Sequence, residues 1–380
     1  MKIGIDARMY GPKQGGLGRY VEQLVLELEK IDNQNEFVIF LRADNWNEYT
    51  PSKPNFKKVL ANISWYGWQE QFKLTPIIKK EKVDLMHFPH WNIPLFYNDP
   101  FIVTIHDLIL LHYSTRQAST LGPITYWFKN LLFKKVLRHA VNKAEHIITP
   151  SEFTKQDVMK NLNIPPEKIT TTLLAPNQHY SNTTQQQFNN LTIQQFNITK
   201  PYILYVGVAF PHKNLEGLLK AWKIFCEKYG NNYQLVLAGK KNYFYQTIIN
   251  NLTIQQFNNV TFIDFPSDSE LSFLYKNASL FVFPSLYEGF GIPPLEAMQI
   301  NLPVASSSSS CLPEILEDAA VYFDPNNYPE MADTIYSGLT NQNLRQNLQK
   351  NAIKLLAKYS WHETAKKTSQ IYLMVDKSSN

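Results

Sequence analysis

What most constrains this chain is the alternation of short apolar runs with helix-period stripes, repeated on both sides of one charge-free stretch. Residues 169–199 contain no Asp, Glu, Lys or Arg, and their tail, Thr183 to Thr199, is rich in Gln, Asn and Thr. Strand candidates before it are Ile3–Asp6, Phe37–Leu41, Val83–Phe88, Phe101–Ile105 and His146–Thr149. After it come Tyr202–Val206, Gln234–Ala238, Val260–Ile263, Leu280–Phe283 and Pro303–Ser306. The stretches between carry apolar residues at helical spacing, as in Leu215, Leu218, Leu219, Trp222 and Phe225 behind Asn214, which the pattern predicts as an N-cap. A helix returns the chain to the same end of the sheet, so the strands it joins pair in parallel. The expected fold class is therefore α/β, two Rossmann-like parallel-sheet domains. Their boundaries are expected at 1–178 and 201–359, with 179–200 as a linker. Such sheets bind ligands at the carboxyl ends of their strands, so a pair of them implies a site in a cleft.

Within and beyond the linker, one nonapeptide occurs twice, NNLTIQQFN at Asn189–Asn197 and at Asn250–Asn258. Two short copies do not make a solenoid, and they read as tolerated surface insertions. No apolar run reaches the ~18 residues of a spanning helix. Lys2 and Asp6 interrupt the start before a secretory apolar core could form. With only Cys226 and Cys311, no disulfide framework is expected. The expected location is cytoplasmic.

Charge narrows the partners. Residues 1–168 hold 22 Lys and Arg against 17 Asp and Glu, while residues 200–380 hold 15 of each. That excess is too weak to argue for nucleic acid, but it suits an anionic small molecule or an anionic lipid surface. Residues 108–144 hold six Lys or Arg and no acidic residue. There Phe133, Val136, Leu137, Ala140 and Val141 form an apolar stripe opposite Lys134, Lys135 and Arg138. Either this is a core-facing helix with a solvated basic face, or that face, with Trp127 and Phe128, meets anionic lipid or a lipid-pyrophosphate acceptor.

Chemistry-bearing residues gather where strands end. Gly15-Gly16-Leu17-Gly18-Arg19-Tyr20 opens the first helix; it is either a ligand-contacting loop or a structural turn. It misses the dinucleotide fingerprint, because Val21 occupies the third glycine position. Pro211-His212-Lys213-Asn214 follows the strand ending at Val206. Lys213 there is either a phosphate-neutralising cation or a solvated surface lysine. Phe283-Pro284-Ser285 leads into Leu286-Tyr287-Glu288-Gly289-Phe290-Gly291-Ile292-Pro293-Pro294-Leu295-Glu296. The prolines preset a helix, whose free amides beside Gly289 and Gly291 form an anion site flanked by two carboxylates. Carboxylates accept hydrogen bonds from sugar hydroxyls and amides bind phosphate, so the pattern fits a nucleotide sugar. The final helix opens with a capping box, Ser360 to Glu363, and lines Trp361, Thr364, Thr368, Tyr372 and Val375 on one face. His87 and His90 lack a third ligand, and no Asp-x-Asp occurs, so no metal is expected. Trp65, Tyr66, Trp68, Glu70 and Trp91 fit an acceptor-sugar platform.

With these residues in view, the chain resembles the retaining glycosyltransferases of family 4, which have the GT-B fold. The Glu288–Glu296 segment resembles their Glu-x7-Glu motif. The likeness extends to the GGLGRY loop, Thr104-Ile105-His106-Asp107-Leu108, Ile148-Thr149-Pro150-Ser151-Glu152-Phe153, Pro211-His212-Lys213-Asn214 and Ser310-Cys311-Leu312-Pro313-Glu314. It is strongest toward bacterial mannosyltransferases of surface-polysaccharide assembly.

The resemblance implies a nucleoside diphosphate sugar as donor, GDP-mannose or similar, and a saccharide or lipid-linked acceptor. It implies no cofactor beyond that donor, and no nucleic-acid partner. Glu288 would contact the donor sugar, Glu296 the ribose, and Lys213 the diphosphate beside the amides of Phe290, Gly291 and Ile292. Gly15 and Gly16 would approach the diphosphate, His106 would face the donor sugar, and the helix over 360–376 would complete the N-terminal acceptor domain. Many relatives carry an arginine where this chain has Val208 and another where it has His212. Two other readings stand beside this one: a nucleotide-sugar epimerase or hydrolase, and a non-catalytic nucleotide- or glycan-binding subunit.

Overall fold

The computed structural model describes residues 1–113, 122–177, 196–250 and 259–378. Both nonapeptide copies fall, except at their ends, outside the described residues, as does most of 179–200. Among the described residues the chain forms two units. One comprises 1–111, 122–174 and 360–378, and the other 112–113 with the described part of 175–359.

The first unit is built on seven parallel strands: β1 (Lys2–Asp6), β2 (Glu36–Leu41), β3 (Phe56–Leu60), β4 (Leu85–Phe88), β5 (Phe101–Thr104), β6 (His146–Thr149) and β7 (Ile169–Thr171). Their spatial order is β3-β2-β1-β4-β5-β6-β7. The second unit has six: β8 (Tyr202–Val206), β9 (Gln234–Gly239), β10 (Val260–Asp264), β11 (Leu280–Phe283), β12 (Val304–Ser307) and β13 (Ala320–Phe323), ordered β10-β9-β8-β11-β12-β13. In each sheet the chain runs outward one way, returns to the centre, and runs outward the other way. The reversal falls between β1 and β4 and between β8 and β11, the places where open parallel sheets bind ligands. The registers Gly4↔Met86 and Phe281↔Leu204 make these pairs immediate neighbours.

Three strands, β3, β7 and β13, were not expected, and all three are sheet edges. An edge strand covers only part of its surface. Phe56-Lys57-Lys58-Val59-Leu60 therefore keeps two lysines and lacks the continuous apolar run of β4 or β11. Because β7 lies in 169–199, the charge-free stretch begins inside the first sheet.

Each unit has its own apolar core, around Phe88, Val103 and Ile147 in the first and around Leu237, Val282 and Trp222 in the second. The helix Trp361–Ser378 belongs to the first unit, packs against the helix Gly15–Ile31, and buries Trp361, Thr364, Thr368, Tyr372 and Val375. The Ser360 half of its capping box is present, with Ser360 Oγ accepting from the Glu363 amide at 3.5 Å. Thr364 Oγ1 donates to the Leu173 carbonyl at 2.5 Å, tying the start of this helix to the end of the first unit's chain.

Candidate active site

At the carboxyl ends of β8 and β11 the second unit gathers the residues that the sequence separates by 75 positions. The short turn Pro211–Lys213 and the loop after β11 are joined by a backbone bond from the Leu286 amide to the His212 carbonyl, 2.7 Å. Asn214 sits at the N-cap position of Leu215–Tyr229, but its side chain does not cap. Its Nδ2 donates instead to the carbonyls of Pro284 and Pro325, at 3.2 and 2.9 Å. The expected cap is thus a clasp: φ is +58° at Asn214, and the amide is spent holding the two turns together.

That clasp brings Lys213 to Glu288. Lys213 Nζ donates to both carboxylate oxygens, at 2.6 and 2.9 Å, forming an ion pair whose side chains are 21% and 8% exposed. Ser310 Oγ accepts from the Glu288 amide at 3.0 Å and fixes the loop from the β12 side. Glu296 lies in the helix Ile292–Gln299, buried, with Tyr275 OH donating to its Oε2 at 3.2 Å. Gly291 is the N-cap of that helix with φ +89°, and a Cβ there would lie 2.8 Å from Leu312. Both the backbone and the space require glycine. Pro293 and Pro294 have no N–H, so the amides this turn offers an anion are those of Phe290, Gly291 and Ile292, beside Gly289.

His212 is buried, and desolvation together with Lys213 lowers its pKa to about 4. It is neutral near pH 7 and supplies no charge to this turn. Lys213 is the cation of this turn.

In the first unit, Gly15 opens the helix Gly15–Ile31 at φ +66°, and a Cβ at Gly15 or Gly16 would meet nothing within 4 Å. Gly18 differs, since its Cβ would strike the carbonyl oxygen of Gly11 at 2.1 Å, so that glycine serves packing. His106 follows β5. Its Nε2 lies 2.9 Å from the Pro89 carbonyl, which can only accept, so Nε2 carries the proton and Nδ1 is the acceptor. Burial lowers its pKa to about 4, and it packs edge-on against Tyr20 at 4.7 Å. His87, once a metal candidate, is fully buried between Tyr372 OH at 2.8 Å and Thr104 Oγ1 at 2.9 Å, with a pKa lowered to about 3 by desolvation. Among the described residues no group of three or more His, Cys, Asp or Glu could hold a metal.

Glu70 corrects an expectation. It is not part of an exposed sugar platform but fully buried, 2.7 Å from Arg8 and 2.5 Å from Asn92 Nδ2. Arg8 also bridges Asp6 at 2.7 Å, and none of its side chain is exposed. The expected stripe on the helix Pro123–Lys143 is present, with Val136, Leu137, Ala140 and Val141 buried, Phe133 partly so, and Lys135 and Arg138 exposed. Trp127 is exposed, and the Phe128 side chain lies outside the described residues. Among the described residues no helix is long and apolar enough to cross a membrane.

Sequence reasoning missed Ser310, Tyr275 and the Arg8 network. Each acts through a contact spanning many residues; Ser310 stands in the Ser310-Cys311-Leu312-Pro313-Glu314 pattern, but nothing in that pattern points to its bond with the Glu288 amide.

Comparison with known proteins follows the same division. A family profile described as "Glycosyl transferases group 1" matches residues 187–355, and one described as "Glycosyltransferase Family 4" matches residues 14–172. The chain is 28% identical over 378 residues to O-antigen chain mannosyltransferase B of Escherichia coli, covering 95% of this chain and 96% of that protein. It is 29% identical over 269 residues to O-antigen chain mannosyltransferase RfbU of Salmonella typhimurium, covering 70% and 68%. Among solved structures it is similar to WaaG, a glycosyltransferase involved in lipopolysaccharide biosynthesis, with a TM-score of 0.72 at 16% identity over 98% and 99% of the two chains.

Proposed function

The chain belongs to glycosyltransferase family 4, with the GT-B fold, and from that premise we propose that it transfers one sugar from a nucleoside diphosphate sugar to a hydroxyl of a saccharide or lipid-linked acceptor. Mannose from GDP-mannose is the favoured donor, in bacterial polysaccharide assembly, and the anomeric configuration is retained. The mannosyltransferase names of the relatives support the sugar. The reaction takes place in the cytoplasm and uses no metal.

One observation carries this reading: the Lys213–Glu288 ion pair in front of the Gly291 helix start. Each charge here is the other's partner, and a donor offers both a replacement. Its diphosphate takes Lys213 and the amides of Phe290, Gly291 and Ile292, while its sugar hydroxyls donate to Glu288. The ribose hydroxyls go to Glu296, oriented by Tyr275. Gly15 and Gly16, open on their Cβ side, leave backbone room for phosphate. His106, neutral and protonated on Nε2, accepts from a sugar hydroxyl at Nδ1.

Transfer then needs electrostatics more than proton shuttling. The bond from the anomeric carbon to the phosphate oxygen breaks as the acceptor oxygen bonds the same face of that carbon. The departing phosphate oxygen takes the acceptor proton, and Lys213 stabilises the charge that accumulates on the diphosphate. No protein group has to serve as base, and His106, with its pKa lowered to about 4, would be a weak one.

The test is donor turnover. Incubation with GDP-mannose and a lipid-linked saccharide pool is expected to release GDP and extend the acceptor, with product stereochemistry matching the donor. Release of free sugar or an epimer at the same rate without acceptor would support the hydrolase or epimerase instead. A thermal-shift panel of GDP, UDP, ADP and dTDP identifies the nucleotide, because ligand bound only to the folded state raises Tm.

A further inference from the structure

The first unit displays aromatic rings that its core does not use. Trp68 is 77% exposed, Phe72 58% and Phe96 57%. Their rings are close to parallel: Trp68 and Phe72 lie 6.4 Å apart at 15°, and Phe72 and Phe96 lie 5.5 Å apart at 30°. At such separations the rings are offset, and part of each face stays open.

The backbone beneath is held firmly. Residues Glu70–Leu74 form a π-helical turn, a rare conformation frequent at functional sites, and Tyr66 just before it has φ +59°, which is strained for a bulky side chain. Glu70 anchors the turn through Arg8 and Asn92, and the Leu95 amide donates to Gln71 Oε1 at 2.8 Å, joining the two segments that carry the rings. Rings fixed in advance lose little freedom on binding.

Charge selects the occupant. Residues 61–100 hold four lysines and four acidic residues, whereas 108–144 hold six basic residues and no acidic one. An anionic bilayer would be drawn to the second stretch. A balanced surface of open rings bordered by exposed Gln69 and Asn98 suits a neutral polyol, whose C–H faces carry the partial positive charge that complements an aromatic face.

We propose that Trp68, Phe72 and Phe96 form a stacking surface for a saccharide chain, gripping acceptor residues beyond the one that reacts. This rests on the saccharide-acceptor reading above and adds a length preference to it.

The experiment is calorimetric titration of the full chain, and of the Trp68→Ala and Trp68→Ala/Phe72→Ala variants. The ligands are oligosaccharides of mannose, galactose and N-acetylglucosamine, from one to six residues. The wild type is expected to bind one hexasaccharide about tenfold tighter than its monosaccharide, and the double variant to lose that gain, at roughly threefold per ring. The GDP or UDP thermal shift should be unchanged in the variants, which also reports that they fold. Absence of a length preference for every oligosaccharide, or its survival in the double variant, overturns the proposal. So does loss in the variants only of binding to phosphatidylcholine–phosphatidylglycerol vesicles, or only of self-association in sedimentation. A missing length preference beside intact nucleotide binding defeats the stacking surface alone. A chain that binds oligosaccharides by length but no nucleotide keeps the surface and defeats the transferase reading.

Discussion

The carboxyl ends of the two sheets solve the same problem with opposite use of charge. At β1 and β4, the cation Arg8 is completely enclosed between Asp6 and Glu70, and of the nearby histidines His87 is buried, His90 and His106 are half-buried, and all three are neutral near pH 7. At β8 and β11, Lys213 keeps a fifth of its side chain in contact with solvent while pairing with Glu288. An enclosed ion pair cannot exchange partners without uncovering charge, so the first is architecture. A half-open pair can trade a carboxylate for a phosphate, so the second suits ligand chemistry. Similar residue types at equivalent positions in two parallel sheets therefore carry different roles, and burial separates them.

The largest effect that would sharpen this contrast is on stability. Arg8→Ala leaves Asp6 and Glu70 as buried uncompensated carboxylates and should cost about 3–5 kcal/mol. Chemical denaturation should show the first unit weakened, with the nucleotide thermal shift of the second retained. A variant as stable as the parent would break the assignment of Arg8 to architecture.

Next comes Glu288→Ala, which should lower turnover by at least ~10²-fold if the carboxylate stabilises the transition state. Because Lys213 then has no carboxylate competitor, nucleoside diphosphate affinity should hold or rise. Near-normal turnover in this variant would refute the assignment.

Acid should separate the units more gradually. His87 and His90 are depressed to about 3, and His106 and His146 to about 4, all by burial first. Below the ordinary histidine value near 6.5, the unfolded chain binds protons that these folded sites refuse. Stability therefore falls as pH drops from about 6.5 toward 4, and it is fully present above that window. With His139, which burial also lowers, five such sites lie in the first unit among the described residues, against His212 in the second. Hydrogen exchange at pH 7 and pH 5 should show the first unit losing more protection; greater loss in the second would contradict the contrast.

Tyr275→Phe should act more mildly. Removing one hydrogen bond to Glu296 is expected to weaken nucleoside diphosphate binding roughly three- to tenfold, read as a higher donor KM at unchanged kcat. The smallest expected effect is none: EDTA should leave initial rates unaltered, and a rate restored only by added Mg²⁺ or Mn²⁺ would overturn the metal-free reading.

The legibility of the molecule followed locality. Central strands such as Ile3–Asp6 and Leu280–Phe283 were readable because burial on both faces writes a continuous apolar run. β3 and β7 were not, since an edge strand needs no such run, while the four apolar residues of β13, Ala320–Phe323, went unread as a strand. In the candidate site, Lys213, Glu288 and Glu296 stand out by their place beside glycines and prolines at strand ends. Ser310 and Tyr275 do not, because a serine within Ser306–Ser310 and a tyrosine inside a helix look the same whether or not they touch a carboxylate. Glu70 was misread for the mirror reason. Its neighbours Tyr66 and Trp68 are exposed, but a π-helical turn rotates it inward to Arg8.

The sequence alone determined that two parallel sheets would form, where their central strands run, and that an acidic, glycine-rich turn precedes a proline-started helix. These follow from periodicity and from backbone limits on glycine and proline, which act over a few residues. Tertiary structure decided that Lys213 and Glu288 are partners across 75 residues, that Asn214 clasps rather than caps, that His212 is neutral, and that Arg8 is sealed. Those outcomes depend on which groups water can reach and on which distant groups replace it. Desolvation and Coulomb energy are set by the packed fold and not by neighbours along the chain.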